Sequence, residues 1–216
     1  MIRILVQMYQ LAILNRIMQI KKILILILSF SFLSTFVFAN FEAEEKFVSN
    51  FADSAIRILG NESLDISQKN LQFTDLVMSS IDMNLISKFV LSKYWKTASQ
   101  EQKDTYIAAF EEYFISSYAN KLDQYSGEKI VVISSNAAKK YVIVKSNIVR
   151  DGADTLKIEL DWRLLTRNGQ TKIIDLSIEG ISLIIAQREE FQSYLNNNNG
   201  NLNALIGKIR SINNKN

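Results

Sequence analysis

The groups able to move a proton or attack a carbon are few in type. The 216-residue chain holds no histidine and no cysteine. That removes thiol nucleophiles, Ser-His-Asp triads, disulfides and zinc sites of the His/Cys kind. Carboxylates, lysines and hydroxyls are left. One Ser-x-x-Lys spacing occurs, Ser126-Gly127-Glu128-Lys129. It falls at a predicted helix-to-strand turn without companion motifs, and the plainer reading is a capped turn. Glu159 and Asp161 share a strand face, but Lys157 and Arg163 flank them, so a solvated face of alternating charge is expected rather than an acid–base pair. Glu111-Glu112 and Glu189-Glu190 read as helix surface. The glycines stand singly, which leaves no loop to cradle a phosphate.

The elements that would position any site begin after an N-terminal segment of different character. Lys21-Lys22 precedes an uncharged apolar run over 23–38, and Val37-x-Ala39 closes it with small residues. This is the pattern of a secretory signal, with Asn40 as the first mature residue. The run is shorter than the roughly 20 residues that span a bilayer, so a retained anchor is the weaker reading. No cysteine follows the site, which excludes a lipoprotein. Met18 as the true start would give a leader of ordinary length. Residues 1–39 also carry four bases and no acid; without them 21 bases face 22 acids. The formal charge of +3 therefore belongs to the leader, and no basic body remains for nucleic acid.

Beyond the leader, residues 40–216 read as a single domain of α+β class. An apolar stripe predicts a helix over 41–59, with Gly60 in a left-handed terminal position. Two shorter helices are expected over 67–91, broken near Ser79-Ser80, with Asp82 capping the second. Capping-box spacings at Thr97–Gln100 and Ser99–Gln102 open a long helix to about Leu122 with a strongly aromatic face. The period then changes to two. Strands are expected over 129–134, 140–149, 155–166 and 171–179, joined in an antiparallel meander by turns at Asp151–Asp154 and Asn168-Gly169. In the fourth strand Ile174, Leu176 and Ile178 share a face. Helices return over 182–196 and 202–212.

The aromatic helix, the Tyr94-Trp95 pair and the branched strand faces supply more apolar surface than a minimal core needs. Two readings stand side by side: a fully packed core, or a core holding a lipid-sized hollow.

Several segments together resemble a known family. They run through Val90-Leu-Ser-Lys-Tyr-Trp-Lys-Thr-Ala-Ser-Gln-Glu-Gln-Lys103, Ala109-Phe-Glu-Glu-Tyr-Phe114, Ser117–Leu122, Tyr125–Glu128, Asp161-Trp-Arg-Leu164 and Asp175-Leu-Ser-Ile-Glu-Gly-Ile-Ser-Leu183. They are similar to the MlaC family, the periplasmic phospholipid-binding component of the Mla pathway, also called toluene-tolerance auxiliary proteins. Gln100 stands where the family usually has proline. The resemblance covers roughly 42–212. It implies an antiparallel four-stranded sheet wrapped by N- and C-terminal helices around a hydrophobic lipid pocket, with no catalytic activity.

The resemblance further implies a carrier that shuttles phospholipid in the Gram-negative periplasm and so maintains outer-membrane lipid asymmetry. Its partners would be an inner-membrane ABC transporter, met through its MCE-domain subunit, and an outer-membrane lipoprotein–porin complex. Phospholipid is then cargo, and no cofactor or metal is expected. Position and facing nominate acyl-chain contacts at Leu85, Phe89, Tyr94, Trp95, Phe110, Tyr113 and Phe114 on the helices. On the strands and the helix after them the candidates are Ile158, Leu160, Trp162, Leu164, Ile174, Ile178 and Ile184. Each is equally consistent with plain core. Lys88, Lys93 and Arg163 are candidates for a phosphate headgroup or a partner, against a simpler role in solubility. The rival readings are a non-transport periplasmic interaction module of the same fold with a packed core, and an envelope enzyme built on carboxylates.

Overall fold

Helix α1 forms where the first apolar stripe begins. In the computed structural model, which describes residues 40–119, 127–150 and 157–213, α1 spans Glu42–Leu59 and buries Val48, Ala52 and Ala55. The predicted leader at 1–39, Ser126, the 151–154 turn and Leu156 lie outside the described residues. Glu42, Glu44 and Glu45 occupy the first turn of α1, where carboxylates favour the positive end of the helix dipole. Gly60 does not take the expected left-handed conformation. Its φ is −79° and its N–H bonds back to the Ile56 carbonyl. The terminal Leu59 carbonyl is instead satisfied from outside, by the Lys69 ammonium at 2.8 Å, so no left-handed cap is needed.

Lys69 lies on α2 (Ile66–Ser80), which opens with a full capping box between Asp65 and Gln68. The expected break follows. The Asp82 carboxylate accepts from the Leu85 N–H at 3.0 Å and starts α3 (Met83–Leu91). A five-residue helix α4 (Lys93–Thr97) precedes α5 (Gln100–Ala119). Of the two possible boxes, Ser99–Gln102 is the one made, with reciprocal bonds of 3.1 Å. Gln100 is thus the first helical residue, the position at which proline is also favoured in helices. Here its side chain donates to Asp104 one turn on at 2.8 Å.

The sheet is an antiparallel meander of order β1-β2-β3-β4-β5, with five strands where four were expected. β1 is Lys129–Ala138, β2 Tyr141–Val149, β3 Lys157–Arg167, β4 Gln170–Ile178 and β5 Ile181–Ser182. The fifth arises because Glu179 and Gly180, at φ 49° and 79°, make a two-residue turn that folds the chain back for one more pair of rungs. Asn168-Gly169 does the same between β3 and β4. Two register shifts matter. Ile133 drops out of the β1–β2 ladder and Ile174 out of β3–β4. The second shift corrects the predicted facing: Ile173, not Ile174, sits opposite Leu164, while Leu176 and Ile178 keep their places opposite Trp162 and Leu160. Helix α6 (Leu183–Asn197) continues directly from β5, and α7 (Leu202–Asn213) closes the described chain.

These elements bury two hydrophobic clusters. One is helical, built by α3, α5, α6 and α7 around Tyr106, Phe110, Phe191 and Leu195. The other lies between α1 and the sheet, around Val48, Val144, Leu160, Trp162, Leu164 and Ile173. Each fully buried side chain of this size contributes about 1.5–3 kcal/mol. Ile81, in the α2–α3 link, packs against both clusters. The link is fastened to β4 by an Ile81–Ile173 bridge and by the Asp82 N–H donating to the Ile173 carbonyl at 3.0 Å.

Candidate functional site

Between the two clusters the packing is incomplete. An apolar cavity of about 160 Å³ lies along their seam. Phe73, Thr74 and Val77 of α2 form one wall, at spacings that put them on one helix face. Trp162, Ile173 and Leu176 of the sheet, with Phe51 of α1, form the opposite wall. Ile81, Ile86, Phe114, Ile115, Leu183 and Ile184 close the ends.

Two polar devices hold these walls. The Trp162 indole is buried, its N–H donates to the Ser146 hydroxyl at 2.8 Å, and its ring meets Phe51 edge-on at 5.6 Å. Among the described residues Asp175 is the one charged residue lining the cavity. Its carboxylate accepts from the Ser182 hydroxyl at 2.7 Å and from the Ile184 N–H at 3.3 Å, and lies 3.4 Å from the Arg163 guanidinium. These bonds fix the start of α6 against β4 and turn the charge away from the hollow.

A second chamber, of about 130 Å³, adjoins the first. Phe114, Leu183 and Ile184 line both, and Phe110, Tyr113, Ser117 and Gln187 complete it. Burial raises the Tyr113 phenol above its ordinary value and the Glu190 carboxylate adds to the rise, while the Ser117 and Gln187 side chains act in the opposite sense.

This geometry provides a greasy hollow. A broader polar cleft lies beyond Ile81, lined by Asp82, Glu111, Arg167 and Lys172 among others. Burial raises the Glu111 carboxyl above its ordinary range, but its side chain is in no ion pair or hydrogen bond among the described residues, and catalysis needs a partner within hydrogen-bond reach. Among the described residues no group of three or more potential ligands is placed to hold a metal ion. No helix among them is long and apolar enough to cross a membrane.

The sequence model of the MlaC protein family matches residues 49–211, three quarters of the chain. The chain belongs to the MlaC family. It is 25% identical over 107 residues to the intermembrane phospholipid transport system binding protein MlaC of Haemophilus influenzae, an alignment covering 48% of this chain and 50% of that protein. The chain thus spans about half the length of the curated relative it matches. Its fold is that of the phospholipid-binding protein from Ralstonia solanacearum, solved in complex with a phospholipid. The TM-score is 0.69 at 21% identity, covering 79% of this chain and 97% of that one.

In this MlaC-family chain the nominated residues divide sharply. Phe114, Trp162 and Ile184 line the main cavity, and Phe110 and Tyr113 line the chamber beside it. Leu160 and Leu164 are buried in the closed part of the sheet cluster, with Ile158 and Ile178 half-buried against it. Ile174 is buried outside both clusters because the register shift turns it out of the ladder. Leu85 is half-buried on α3. Phe89 is 42% exposed with the Arg188 guanidinium 4.9 Å from its ring centre. Tyr94 is committed elsewhere, donating to Asn196 at 2.8 Å, and Trp95 carries the Lys103 ammonium over its ring at 5.5 Å. Lys88 is exposed, Lys93 lies over Tyr94, and Arg163 pairs with Asp175.

The sequence reading missed the α2 wall, together with Phe51, Ile86, Ile115, Ile173 and Leu183. Phe73 and Val77, four apart on one face, were the available signal for that wall.

Proposed function

We propose that this protein is a periplasmic phospholipid carrier, exported by its N-terminal signal, that shuttles lipid between membrane complexes. The single observation that carries the reading is the apolar cavity at the seam of two hydrophobic clusters in a member of the MlaC family. Such a hollow leaves the wall atoms without the contacts that a close-packed interior supplies. Two acyl chains make the walls' missing contacts, while the phosphate stays in water because burying it unpaired is costly. Pockets that enclose drug-sized ligands measure roughly 300–1,000 Å³, so the walls must separate to take in a lipid. The α2 wall is the one to move, because it faces solvent on its other side, where Leu71 is exposed.

The partners in this reading are an inner-membrane ABC transporter, through its MCE-domain subunit, and an outer-membrane lipoprotein–porin complex. Its consequence is maintained outer-membrane lipid asymmetry. The protein performs no covalent chemistry. Native mass spectrometry of the exported chain is the test, and an adduct of one phospholipid per chain is expected. Clean apo protein that takes no lipid from labelled vesicles, even with those membrane partners present, would refute the carrier and leave a non-transport interaction module of the same fold.

A further inference from the structure

Helices α3 and α6 run side by side in the same direction. Phe89 meets Arg188, the Gln192 amide donates to the Val90 and Leu91 carbonyls at 3.2 and 3.1 Å, and the Tyr94 phenol just past α3 donates to Asn196 at 2.8 Å. Inward, the two helices supply Ile86, Leu183 and Ile184 to the apolar cavity. Outward, they hold large apolar side chains in water. Phe89 is exposed, Ile185 is 43% exposed and Ile181, just before α6, is 66% exposed. Ile185 and Arg188 lie one turn apart on α6, and Arg188 crosses the seam to Phe89, so these groups form one surface. We propose that this seam docks the protein on an anionic lipid bilayer, with Phe89, Ile181 and Ile185 entering the headgroup layer and the surrounding cations meeting lipid phosphates. The proposal goes beyond the carrier reading and does not require a cargo in the cavity.

Charge selects this occupant. Residues 83–100 contain Lys88, Lys93 and Lys96 and no acid, and all three lysines are exposed. Lys93 reaches Asn196 at 3.4 Å, which places it about two turns along the seam from Arg188. The acids nearby are mostly engaged. Asp82 caps α3, the Glu179 carboxylate accepts from the Glu159 N–H at 2.6 Å, and Glu190 accepts from the Gln187 amide at 3.0 Å. Glu189 is left exposed against Lys88, Lys93, Lys96 and Arg188. Isolated apolar residues on a surface need no explanation, but an aromatic and two aliphatic side chains grouped among cations have the composition of a surface that lies in a membrane interface. None of Phe89, Ile181 and Ile185 belongs to a cavity described above, so the seam offers side chains to insert rather than a socket for a rigid partner. Lysine and arginine at the rim add attraction to an anionic leaflet, each by an amount that salt screens.

The experiment is co-sedimentation of the exported chain with vesicles of phosphatidylcholine alone and with vesicles of an equal mixture of phosphatidylcholine and phosphatidylglycerol. The wild type should bind the mixed vesicles roughly tenfold more tightly, and high salt should remove that preference. Phe89→Ser and Ile185→Ser should each weaken binding to the mixed vesicles roughly tenfold. Lys88→Gln should weaken it about fivefold and leave binding to phosphatidylcholine unchanged. Thermal unfolding beside each measurement shows that the variants are folded, as substitutions at exposed positions should be. A wild type that sediments with neither vesicle, or with both alike, would overturn the proposal, and so would folded variants that bind as the wild type does. If the wild type ignores vesicles but Ile185→Ser abolishes its capture by the purified inner-membrane complex, the seam is a protein interface and the bilayer proposal is wrong. Vesicle binding by a chain that shows no lipid adduct in native mass spectrometry and takes up no labelled lipid would instead keep the docking surface and refute the carrier.

Discussion

Trp162 of β3 and Ser146 of β2 are diagonal neighbours in the ladder, Trp162 standing opposite Val144 and Ser146 opposite Leu160, and the indole N–H donates to the hydroxyl at 2.8 Å. Both residues are nearly without solvent exposure, so the bond has no water to replace it. It sets the tilt of the indole that meets Phe51 and bounds the hollow.

Ser146→Ala should therefore cost about 1–3 kcal/mol, the penalty of a buried donor left unpaired. Denaturant unfolding measures it. Combining the change with Trp162→Phe should recover part of the loss, because the orphaned donor is gone. Strict additivity of the two changes would contradict the coupling.

Cavity and core make opposite predictions for enlarged side chains. Val77 lines the hollow and Leu160 lies in the closed sheet cluster. Leu160→Trp should lower the stability of the delipidated protein by about 1–3 kcal/mol through overpacking. Val77→Phe should change stability by less than about 1 kcal/mol while lipid uptake from labelled vesicles falls sharply, since the ring occupies the space of the cargo. Thermal unfolding beside uptake separates the two.

Asp175 joins β4 to the start of α6 and carries the Arg163 ion pair. Asp175→Ala should destabilise by about 1–3 kcal/mol by freeing the Ser182 hydroxyl and the Ile184 N–H. Arg163→Gln should cost no more than about 1 kcal/mol, because the arginine side chain is 40% exposed and the pair is screened. Chemical denaturation of the two variants fixes the order; an arginine effect larger than the aspartate effect would contradict this account.

Gly200 stands where α6 gives way to α7, with φ 71°, and a Cβ there would lie 2.9 Å from the Tyr94 ring. Gly200→Ala should cost more than about 1 kcal/mol, from backbone strain and from displacing Tyr94. Loss of the Tyr94–Asn196 bond should appear as an altered phenol environment in near-ultraviolet circular dichroism.

Much of the architecture was legible because local patterns carry it. The caps at Asp82 and Ser99, the Asn168-Gly169 turn and the alternation of β3 are short-range signals that tertiary packing does not overrule. The remainder depended on partners remote in sequence. Gly60 stays right-handed because Lys69 reaches the Leu59 carbonyl. The Ser134–Ala138 half of β1 has no apolar alternation and forms through its ladder to β2. The site was the least legible part. One skipped residue at Ile174 exchanges Ile173 for it on the inward face, and the hollow is a property of two clusters failing to close. Phe114, Trp162 and Ile184 could be found from facing alone, whereas the α2 wall required knowing what α2 covers.

The irregularity at Ile133 bears on how the protein survives at high concentration. β1 is an edge of the sheet and displays Val131 and Ile133 to solvent, a combination that invites strand-to-strand polymerisation. The bulge breaks the even spacing of amides and carbonyls partway along that edge and increases its twist. A second strand laid against it would lose register after a few residues. The same kink that spoils the regularity of β1 thus guards this edge against growing into a fibre.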